Sequence, residues 1–243
     1  MRENFNVKKV TNDVIEWIRE YFKNQPSAKG AIIGISGGKD STIVSKLLVE
    51  ALGKDRVFGV LMPNGLQKDI EDSKRVVENL GIQYRIVNIE KAYCGLISEL
   101  GDNISQQALT NVPPRLRMTT LYAIGSSMGY RIAGTGNKSE GYIGYTTKWG
   151  DSASDFNAIG DLTTEEVIAI GDYLKLPKEL VHKTPSDGLC GKSDEDNLGF
   201  TYADINKFIE NGTSGNSEID EKIRLKHDWN KHKGELIPNY TVF

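Results

Sequence analysis

The sequence has few of the residues that build disulfide frameworks and soft-metal sites. Among its 243 residues are two cysteines, Cys94 and Cys190, and three histidines. The cysteines lie far apart without a CxxC pair, and the histidines do not cluster with them. Disulfide, zinc and iron–sulfur functions are therefore not indicated.

An excess of basic charge and a long apolar run are also missing. Lys and Arg number 30 against 33 Asp and Glu, which gives a net charge of −3, whereas binding to nucleic acid or a membrane surface normally goes with a basic excess. No apolar run approaches the roughly 20 residues of a transmembrane helix. The first residues include Glu3 and lack the basic and apolar regions of a secretory leader. We therefore expect a cytoplasmic protein with no nucleic-acid or membrane partner.

Hydrophobic periodicity predicts an α/β fold. An amphipathic helix over 10–22 is followed by apolar strand patterns at 31–35, 56–62 and 84–89, and helical patterns at 42–52 and 69–80 separate them. This alternation is the signature of an open parallel sheet with helices on both faces. Beyond it, a strand is predicted at 130–134 and helices at 116–127, 164–174, 202–210 and 219–229. We expect one domain over 1–243, in which a flexible linker at about 211–217 leads to a C-terminal helical appendage.

The sharpest motif lies between the first strand and the helix after it. It reads Ser36-Gly37-Gly38-Lys39-Asp40-Ser41. Small residues and a helix N-terminus let backbone amides approach an anion, and the two hydroxyls add donors. Because Asp40 would repel a bound phosphate unless a cation lay between them, the motif indicates Mg²⁺. In a plainer alternative Asp40 or Ser41 only caps the helix. The motif matches neither a Walker A loop nor GxGxxG.

SGGxDS after the first strand resembles the pyrophosphate-binding loop of the ATP pyrophosphatase superfamily. The resemblance implies a Rossmann-like, adenine nucleotide alpha-hydrolase-like fold. Enzymes of this superfamily cleave ATP to AMP and pyrophosphate, adenylating a carbonyl oxygen so that a nitrogen or sulfur nucleophile can displace AMP. The motif alone does not choose among GMP synthetase, argininosuccinate synthetase, tRNA-modifying enzymes and NAD synthetase.

Four further segments resemble ammonia-dependent NAD synthetase and come in that family's order over nearly the whole chain. They are residues 111–118, 134–140, 144–155 and 184–199, and a short His232-Lys233 match follows them. Each segment has a plainer interpretation: a solvated basic turn, a helix-start acid at Glu140, a polar loop around Tyr145 and Trp149 as core residues, and an acidic capping turn. Their common order favours the functional interpretation.

The resemblance implies a role for individual residues. Asp40 and Glu140 are implied to be the catalytic residues and to bind Mg²⁺. The residues implied to contact ATP are Ser36, Gly37, Gly38, Lys39, Asp40, Ser41, Gln67, Arg117, Thr135 and Ser186. Those implied to contact nicotinic acid adenine dinucleotide (deamido-NAD) are Asn111, Arg115, Lys148, Asp151, Asp155, His232 and Lys233.

Three positions depart from the family pattern. Thr164 stands where many members have a lysine on the ATP phosphates, Leu61 where some have an arginine near adenine, and Gly234 where an arginine follows His-Lys. Either another lysine supplies the missing charge or phosphate binding is weaker. The lysines considered are Lys39, Lys138 and Lys192.

The sequence therefore predicts ATP-dependent amidation of deamido-NAD by ammonia, through an adenylated intermediate, with release of AMP and pyrophosphate. The alternatives are another adenylating ligase, GMP synthetase-like or tRNA-modifying, and a non-catalytic nucleotide-binding module. Acidic net charge and the lack of CxxC pairs count against a tRNA thiolase, and two metal-binding carboxylates count against a module. The resemblance also implies a homodimer. The length leaves no room for a glutaminase domain, so we expect free ammonia or a separate glutaminase as the nitrogen source.

Overall fold

The computed structural model describes residues 1–2, 4–67, 70–183 and 194–242. Its strands are β1 (Gly30–Gly34), β2 (Val57–Leu61), β3 (Gln83–Ile86) and β4 (Tyr130–Ile132). Its helices are α1 (Val7–Lys23), α2 (Lys39–Leu52), α3 (Ile70–Leu80), α4 (Glu90–Leu100), α5 (Gln106–Met128), α6 (Lys138–Ile143), α7 (Thr164–Tyr173), α8 (Lys178–Val181), α9 (Asp194–Leu198), α10 (Tyr202–Asn211) and α11 (Ser217–Asn230). In this part of the chain, no helix has the length and apolar character needed to span a membrane.

The strands form a parallel sheet in the order β3-β2-β1-β4. Ala31 of β1 pairs with Val57 on one side, and Gly30 pairs with Tyr130 on the other. The chain moves outward from β1 to β3 and then returns to place β4 on the free side of β1. Ligand sites of open α/β sheets lie at such a reversal, beyond the carboxyl ends of the strands. The predicted open parallel sheet is confirmed.

Both faces of β1 are covered, which explains its continuous apolar run. Because side chains alternate along a strand, Ala31 and Ile33 join a core formed with α1, α2 and α7. Ile32 faces the opposite way, into a core that includes Leu121 of α5. A parallel sheet buried on both faces produces strands of this composition.

A third core joins the C-terminal helices to α6. Ile143 of α6 packs in one cluster with Phe208 of α10 and Ile223 of α11. The segment predicted as a flexible linker is a short hydrogen-bonded turn between α10 and α11. The Asp220 carboxylate accepts bonds from the Thr213 hydroxyl at 2.6 Å and the Ser214 amide at 2.7 Å. Small polar residues favour capping turns as well as linkers, and the composition alone does not distinguish them.

Several helix boundaries differ from the sequence predictions. Helix α5 begins at Gln106, where Ser105 caps it, and continues through Pro113 and Pro114. The segment with Arg115 and Arg117 therefore lies within a long helix and does not open one. Helix α2 begins at Lys39, before the predicted start at 42. Helix α4 was not predicted, and none of its residues is buried.

An ion pair ties the N-terminal segment to α7. The Glu166 side chain is fully buried, and its oxygens accept bonds from Arg2 Nε at 2.7 Å and Arg2 Nη2 at 2.8 Å. The Thr163 amide donates a third bond at 3.0 Å as part of the capping box of α7. Arg2 is thus the charged partner of a buried carboxylate.

Arg2→Ala should lower the free energy of unfolding by about 2 kcal/mol at neutral pH, because the Glu166 carboxylate would lose its charged partner. Burial alone would raise the pKa of Glu166, but the bonds from Arg2 and Thr163 outweigh burial and hold that pKa below its ordinary value. The stabilisation is complete above the ordinary pKa and is lost as pH falls through the depressed one.

Urea unfolding of the wild type and the variant at pH 7 and pH 3 measures this effect. The difference between the two proteins should shrink at the lower pH. Lys9→Ala is the control, since it breaks an exposed pair with Asp13 that contributes about 0.5 kcal/mol or less. Equal losses from the two substitutions would contradict the assignment.

Candidate active site

Two motifs meet at the carboxyl edge of the sheet. β1 leads through a short loop into α2, and its neighbour β4 leads through residues 133–137 into α6. Because the two strands are parallel and adjacent, both loops leave the same edge. This geometry brings the segment around Asp40 to the segment around Glu140.

The loop after β1 leaves the start of α2 open. The N-cap is Gly38, which has an extended backbone and contributes no side-chain cap. Ser36 Oγ accepts a bond from the Gly38 amide at 3.2 Å, and Ser41 Oγ donates to the Gly38 carbonyl at 3.1 Å. The alternative in which Asp40 or Ser41 caps the helix is therefore wrong. The amides of the first turn remain available to an anion, which the helix dipole also favours.

Asn137 joins the two acidic residues. Its Nδ2 donates to Asp40 Oδ1 at 3.2 Å, and its backbone amide donates to Glu140 Oε2 at 3.1 Å. Asn137 Oδ1 also accepts from the Glu140 amide, which completes a capping box at the start of α6. Glu140 is thus a helix-start acid, as the plainer interpretation held, and it also lies beside Asp40.

Burial and the neighbouring Asp40 act on the Glu140 carboxyl group. Burial, reinforced by the negative charge of Asp40, raises the pKa of Glu140 to about 8. Although the charge of Lys39 acts to lower this pKa, the carboxyl group needs a further positive charge to be fully ionised at neutral pH. The pair is therefore suited to a bound cation, whose charge would favour the ionised form.

A buried ammonium group lies against the acidic pair. Lys39 Nζ is 2.8 Å from Asp40 Oδ2 and 5.7 Å from the centre of the Tyr202 ring. Burial alone would lower the pKa of Lys39, but the charges of Asp40 and Glu140 outweigh burial and raise it. The Tyr202 hydroxyl donates to Asp194 Oδ2 at 3.3 Å, so α9 and α10 also border the site.

The three lysines considered as sources of phosphate-binding charge differ in their positions. Lys39 lies at the acidic pair, whereas Lys138 Nζ pairs with Asp161 at 2.8 Å. Lys192 lies outside the described residues. Thr164 is buried at the start of α7, and its hydroxyl donates to Asn137 Oδ1 at 3.3 Å. Thr164 thus supports Asn137, the residue that joins the acidic pair.

A second group of predicted residues gathers between α5 and the 144–151 loop. Asn111 Oδ1 accepts from the Thr147 hydroxyl at 2.8 Å, and Arg115 Nε donates to the Lys148 carbonyl at 3.3 Å. Asn111 and Arg115 lie about one helical turn apart on α5. Helix α5 therefore fixes the 144–151 loop through two contacts.

The C-terminal segment joins this second group. Lys148 Nζ donates to the His232 carbonyl, and Lys233 Nζ donates to the carbonyls of Gly144 and Thr146 at 2.7 and 2.9 Å. The weak His-Lys match in the sequence therefore lies at the 144–151 loop. The predicted substrate residues Arg115, Lys148, His232 and Lys233 are brought together.

The carboxylates of Asp151 and Asp155 are exposed and bonded within the chain. Asp151 accepts from the Thr147 amide at 2.8 Å and the Thr146 hydroxyl at 2.6 Å. Asp155 accepts from the Ile132 amide at 2.9 Å and the Tyr122 hydroxyl at 3.2 Å. Asp151 thus shapes the 144–151 loop, and Asp155 ties the segment after it to β4 and α5.

The remaining predicted ATP residues are more scattered. Arg117 Nε donates to the Met62 carbonyl at 3.0 Å, which places its side chain at the end of β2. Gln67 lies half-buried in the loop after that strand, and Thr135 lies half-buried after β4. Ser186 lies outside the described residues.

Sequence reasoning gave no role to three residues at the acidic pair. Asn137 stands inside a segment that was recognised, but its bridge to Asp40 crosses between two strand-end loops. Tyr202 and Asp194 come from helices more than fifty residues further along the chain. The Thr201–Asp204 capping box marks the start of α10, yet it carries no signal that Tyr202 faces Lys39.

Comparisons with known proteins identify the family of this chain. A family model described as NAD synthase matches residues 10–239. An NH(3)-dependent NAD(+) synthetase from Carboxydothermus hydrogenoformans is 38% identical over 242 residues, covering 97% of this chain and 98% of its own. The solved structure of NMN synthetase from Francisella tularensis has a TM-score of 0.92 at 31% identity, over 98% of this chain and 100% of that one. The NH3-dependent NAD synthetase from Campylobacter jejuni has a TM-score of 0.83 at 28% identity, over the same shares.

Proposed function

Since the chain belongs to the NAD synthase family, we propose that it joins ammonia to deamido-NAD at the edge shared by β1 and β4. The protein is an ATP-dependent C–N ligase that forms NAD. The observation that carries the assignment of the site is the meeting of Asp40 and Glu140 through Asn137, directly beside the open start of α2.

The acidic pair fits a magnesium ion. Carboxylate oxygens are hard ligands, and Mg²⁺ is commonly held by one or two carboxylates together with substrate phosphates and water. No group of three His, Cys, Asp or Glu side chains able to hold a metal occurs among the described residues, which agrees with a site of this shared kind. Asp40 and Glu140 would hold the ion, which would neutralise charge on the ATP phosphates.

ATP phosphates would bind over the start of α2. The amides and hydroxyls of residues 36–41 supply neutral donors there, and Lys39 supplies positive charge beside Asp40. Arg117 and Gln67, near the end of β2, would contact the nucleotide, as would Thr135 after β4. Ser186 keeps the ATP role implied by the resemblance.

Deamido-NAD would bind to the second group, at the 144–151 loop. Arg115, Lys148, His232 and Lys233 bring cations and donors suited to phosphate and carboxylate groups. Asn111, Asp151 and Asp155 complete this set. Asn111 and Asp151 hold the loop with side-chain bonds, and Asp155 bonds to the Ile132 amide of β4.

The chemistry follows from placing the two substrates together. The nicotinate carboxylate attacks the α-phosphorus of ATP and releases pyrophosphate, and ammonia then displaces AMP to leave the amide. A free carboxylate is a poor acyl donor, and adenylation gives it a good leaving group. The residues named above act by positioning the substrates and stabilising charge, so no protein nucleophile is needed.

A second candidate substrate is the mononucleotide. The likeness to NMN synthetase, with a TM-score of 0.92, favours testing nicotinic acid mononucleotide beside deamido-NAD. Both carry the same nicotinate carboxylate and would follow the same two steps.

The test of function is an assay with ATP, Mg²⁺ and ammonium chloride, with each nicotinate substrate in parallel. We expect NAD and pyrophosphate in equal amounts, and a kcat/KM at least tenfold higher for deamido-NAD. A preference for the mononucleotide would reassign the substrate within the same chemistry. Folded, ATP-binding protein that amidates neither substrate would refute the proposal.

We further propose that residues 1–243 act as one cytoplasmic domain that forms a homodimer. Helix α4 has no buried residue, and the edge strand β3 is exposed along its length. Together they present Tyr84, Ile86, Leu96 and Leu100, each at least 41% exposed. An apolar surface of this kind fits a subunit interface.

Leu100→Asp should weaken the dimer at least tenfold in sedimentation velocity, since it places a charge in the apolar face. Leu225→Asp, on the outer surface of α11, is the control because Leu225 is similarly exposed at 44%. A wild-type protein that stays monomeric at micromolar concentration would contradict the dimer.

A further inference from the structure

Trp149 has a backbone conformation that is unusual for a bulky residue. Its φ is +63°, and Lys175 is the only other non-glycine residue with positive φ in the described part of the chain. For an L-residue this conformation costs about 1–2 kcal/mol. Such strain persists where the surrounding structure imposes it, and it is concentrated at functional sites.

The neighbours of Trp149 impose the conformation. Ser152 Oγ accepts from the Trp149 amide at 3.1 Å and donates to the Thr147 carbonyl at 2.9 Å. The Gly150 amide donates to the same carbonyl at 2.8 Å. Gly150 also lies tightly against α5, because a Cβ there would come within 2.9 Å of the Pro114 Cβ. The turn is thus pinned on both sides of Trp149.

The indole makes few packing contacts that would offset this strain. Trp149 is 55% exposed and belongs to none of the three hydrophobic cores, so its interpretation as a core residue is wrong. In the described part of the chain, no aromatic ring packs against it. Bulky residues normally avoid positive φ, and aromatic side chains normally pack in a core. A residue that departs from both preferences without stabilising the fold is expected at a functional position.

The surroundings of the indole suit a charged aromatic ligand. Lys148 Nζ lies 5.5 Å from the ring centre, and Arg115 reaches the Lys148 backbone at 3.3 Å. Because Lys148 lies over one face of the indole, a flat heterocycle would stack on the opposite face, with the charges of Lys148 and Arg115 in the surrounding loop favouring its carboxylate or phosphate groups. Ring stacking gives affinity without requiring buried hydrogen-bonding groups.

We propose that Trp149 is a substrate-positioning residue on which a flat heterocycle of the pyridine nucleotide stacks. This inference rests on the proposed function and assigns ring stacking to one residue of the 144–151 loop. The nicotinate and adenine rings of deamido-NAD share the required chemistry. Nicotinic acid mononucleotide contains only the first ring, so it distinguishes between the two.

The test uses three variants at one position. Trp149→Ala and Trp149→Gly should raise the KM for deamido-NAD about tenfold with kcat within about threefold of wild type, and Trp149→Phe should restore KM to within about threefold. Trp149→Gly should also melt at the same temperature as the wild type or higher, because glycine adopts positive φ without strain. A residue that serves only the fold would show the reverse, with reduced stability and unchanged KM.

Lys175→Gly is the matched control, since Lys175 has φ +56° and lies outside both groups of site residues. It should raise the melting temperature and leave KM unchanged. Sedimentation of Trp149→Ala is measured alongside. Loss of the dimer in that variant would assign Trp149 to an interface and overturn the proposal.

The mononucleotide separates the two rings. A raised KM for both substrates assigns the contact to the nicotinate ring, and a raised KM for deamido-NAD alone assigns it to adenine. Unchanged KM for both in Trp149→Ala overturns the proposal. Quenching of tryptophan fluorescence by deamido-NAD without ATP, lost in Trp149→Phe, is expected independently of turnover. If the wild type makes no amide product, the proposed function is refuted. The fluorescence quenching then still tests whether the nucleotide stacks on Trp149.

Discussion

Glu140→Gln should lower the rate of pyrophosphate release by about 10²–10³-fold while leaving the protein folded. The substitution removes one of the two carboxylates that meet at Asn137, so the charge available to a cation is halved. Glutamine preserves the shape of the side chain and can also complete the capping box of α6. The loss should therefore be in catalysis and not in structure.

The stability of this variant has a definite pH dependence. The pKa of Glu140 is raised to about 8 by burial and by Asp40, so between its ordinary value and 8 the folded protein holds a proton that the unfolded chain releases. Wild-type stability must fall as pH rises through that window. Glu140→Gln does not titrate, so its stability relative to wild type should increase from pH 5 to pH 8.

Urea unfolding at these two pH values, beside the pyrophosphate assay, measures both effects. Asp13→Asn on α1 is the control, because Asp13 is an exposed acid whose charge pairs with Lys9. If the Glu140→Gln protein keeps more than a tenth of wild-type activity at saturating Mg²⁺, the proposal that Glu140 binds the metal is contradicted.

Gly144→Ala is expected to be the most damaging glycine substitution near the second group, lowering the free energy of unfolding by about 3 kcal/mol. Gly144 ends α6 with φ +64°, and a Cβ there would lie 2.2 Å from the Cβ of Asn230. Backbone strain of about 1 kcal/mol and overpacking of about 2 kcal/mol act together. The clash would also push α11 away from the loop that Lys233 holds.

Gly212→Ala separates the two contributions. Gly212 ends α10 in the same left-handed conformation, with φ +76°, but no atom lies within 4 Å of its Cβ position. It should therefore show only the strain, about 1 kcal/mol. Equal losses for the two substitutions, measured by urea unfolding, would mean that the contact with Asn230 contributes nothing.

The sequence predicted the parts of the site that depend on local pattern. The buried run of β1, followed by small residues and a helix, predicts an anion-binding loop. The structure confirms the strand, the short loop and the helix, and anion binding stays a prediction. The positions of Asp40 and Glu140 follow from adjacent parallel strands. Which residue bridges them does not, because the bridge depends on the side-chain direction of Asn137 across two loops.

Other features could not be read from the sequence for different physical reasons. Helix α4 does have apolar residues at helical spacing, Tyr93, Leu96, Ile97 and Leu100, but none of its residues is buried, so the pattern does not show what the helix packs against. Pro113 and Pro114 suggested a boundary within α5, because proline usually ends a helix. Lys39 stands in a loop motif whose other members point to phosphate, and only the packing of α10 shows that its ammonium is buried beneath Tyr202.

The pairing of β1 with β4 has a consequence for the order of folding. Gly30 meets Tyr130, 100 residues later in the chain, and closing a loop of that length costs about 4 kcal/mol of chain entropy before any contact compensates for it. Helices and the neighbouring β1–β2 crossover involve much shorter separations and form sooner. Asp40 and Glu140 therefore come together only when the last strand joins the sheet. During refolding, cation binding should be regained later than helical content.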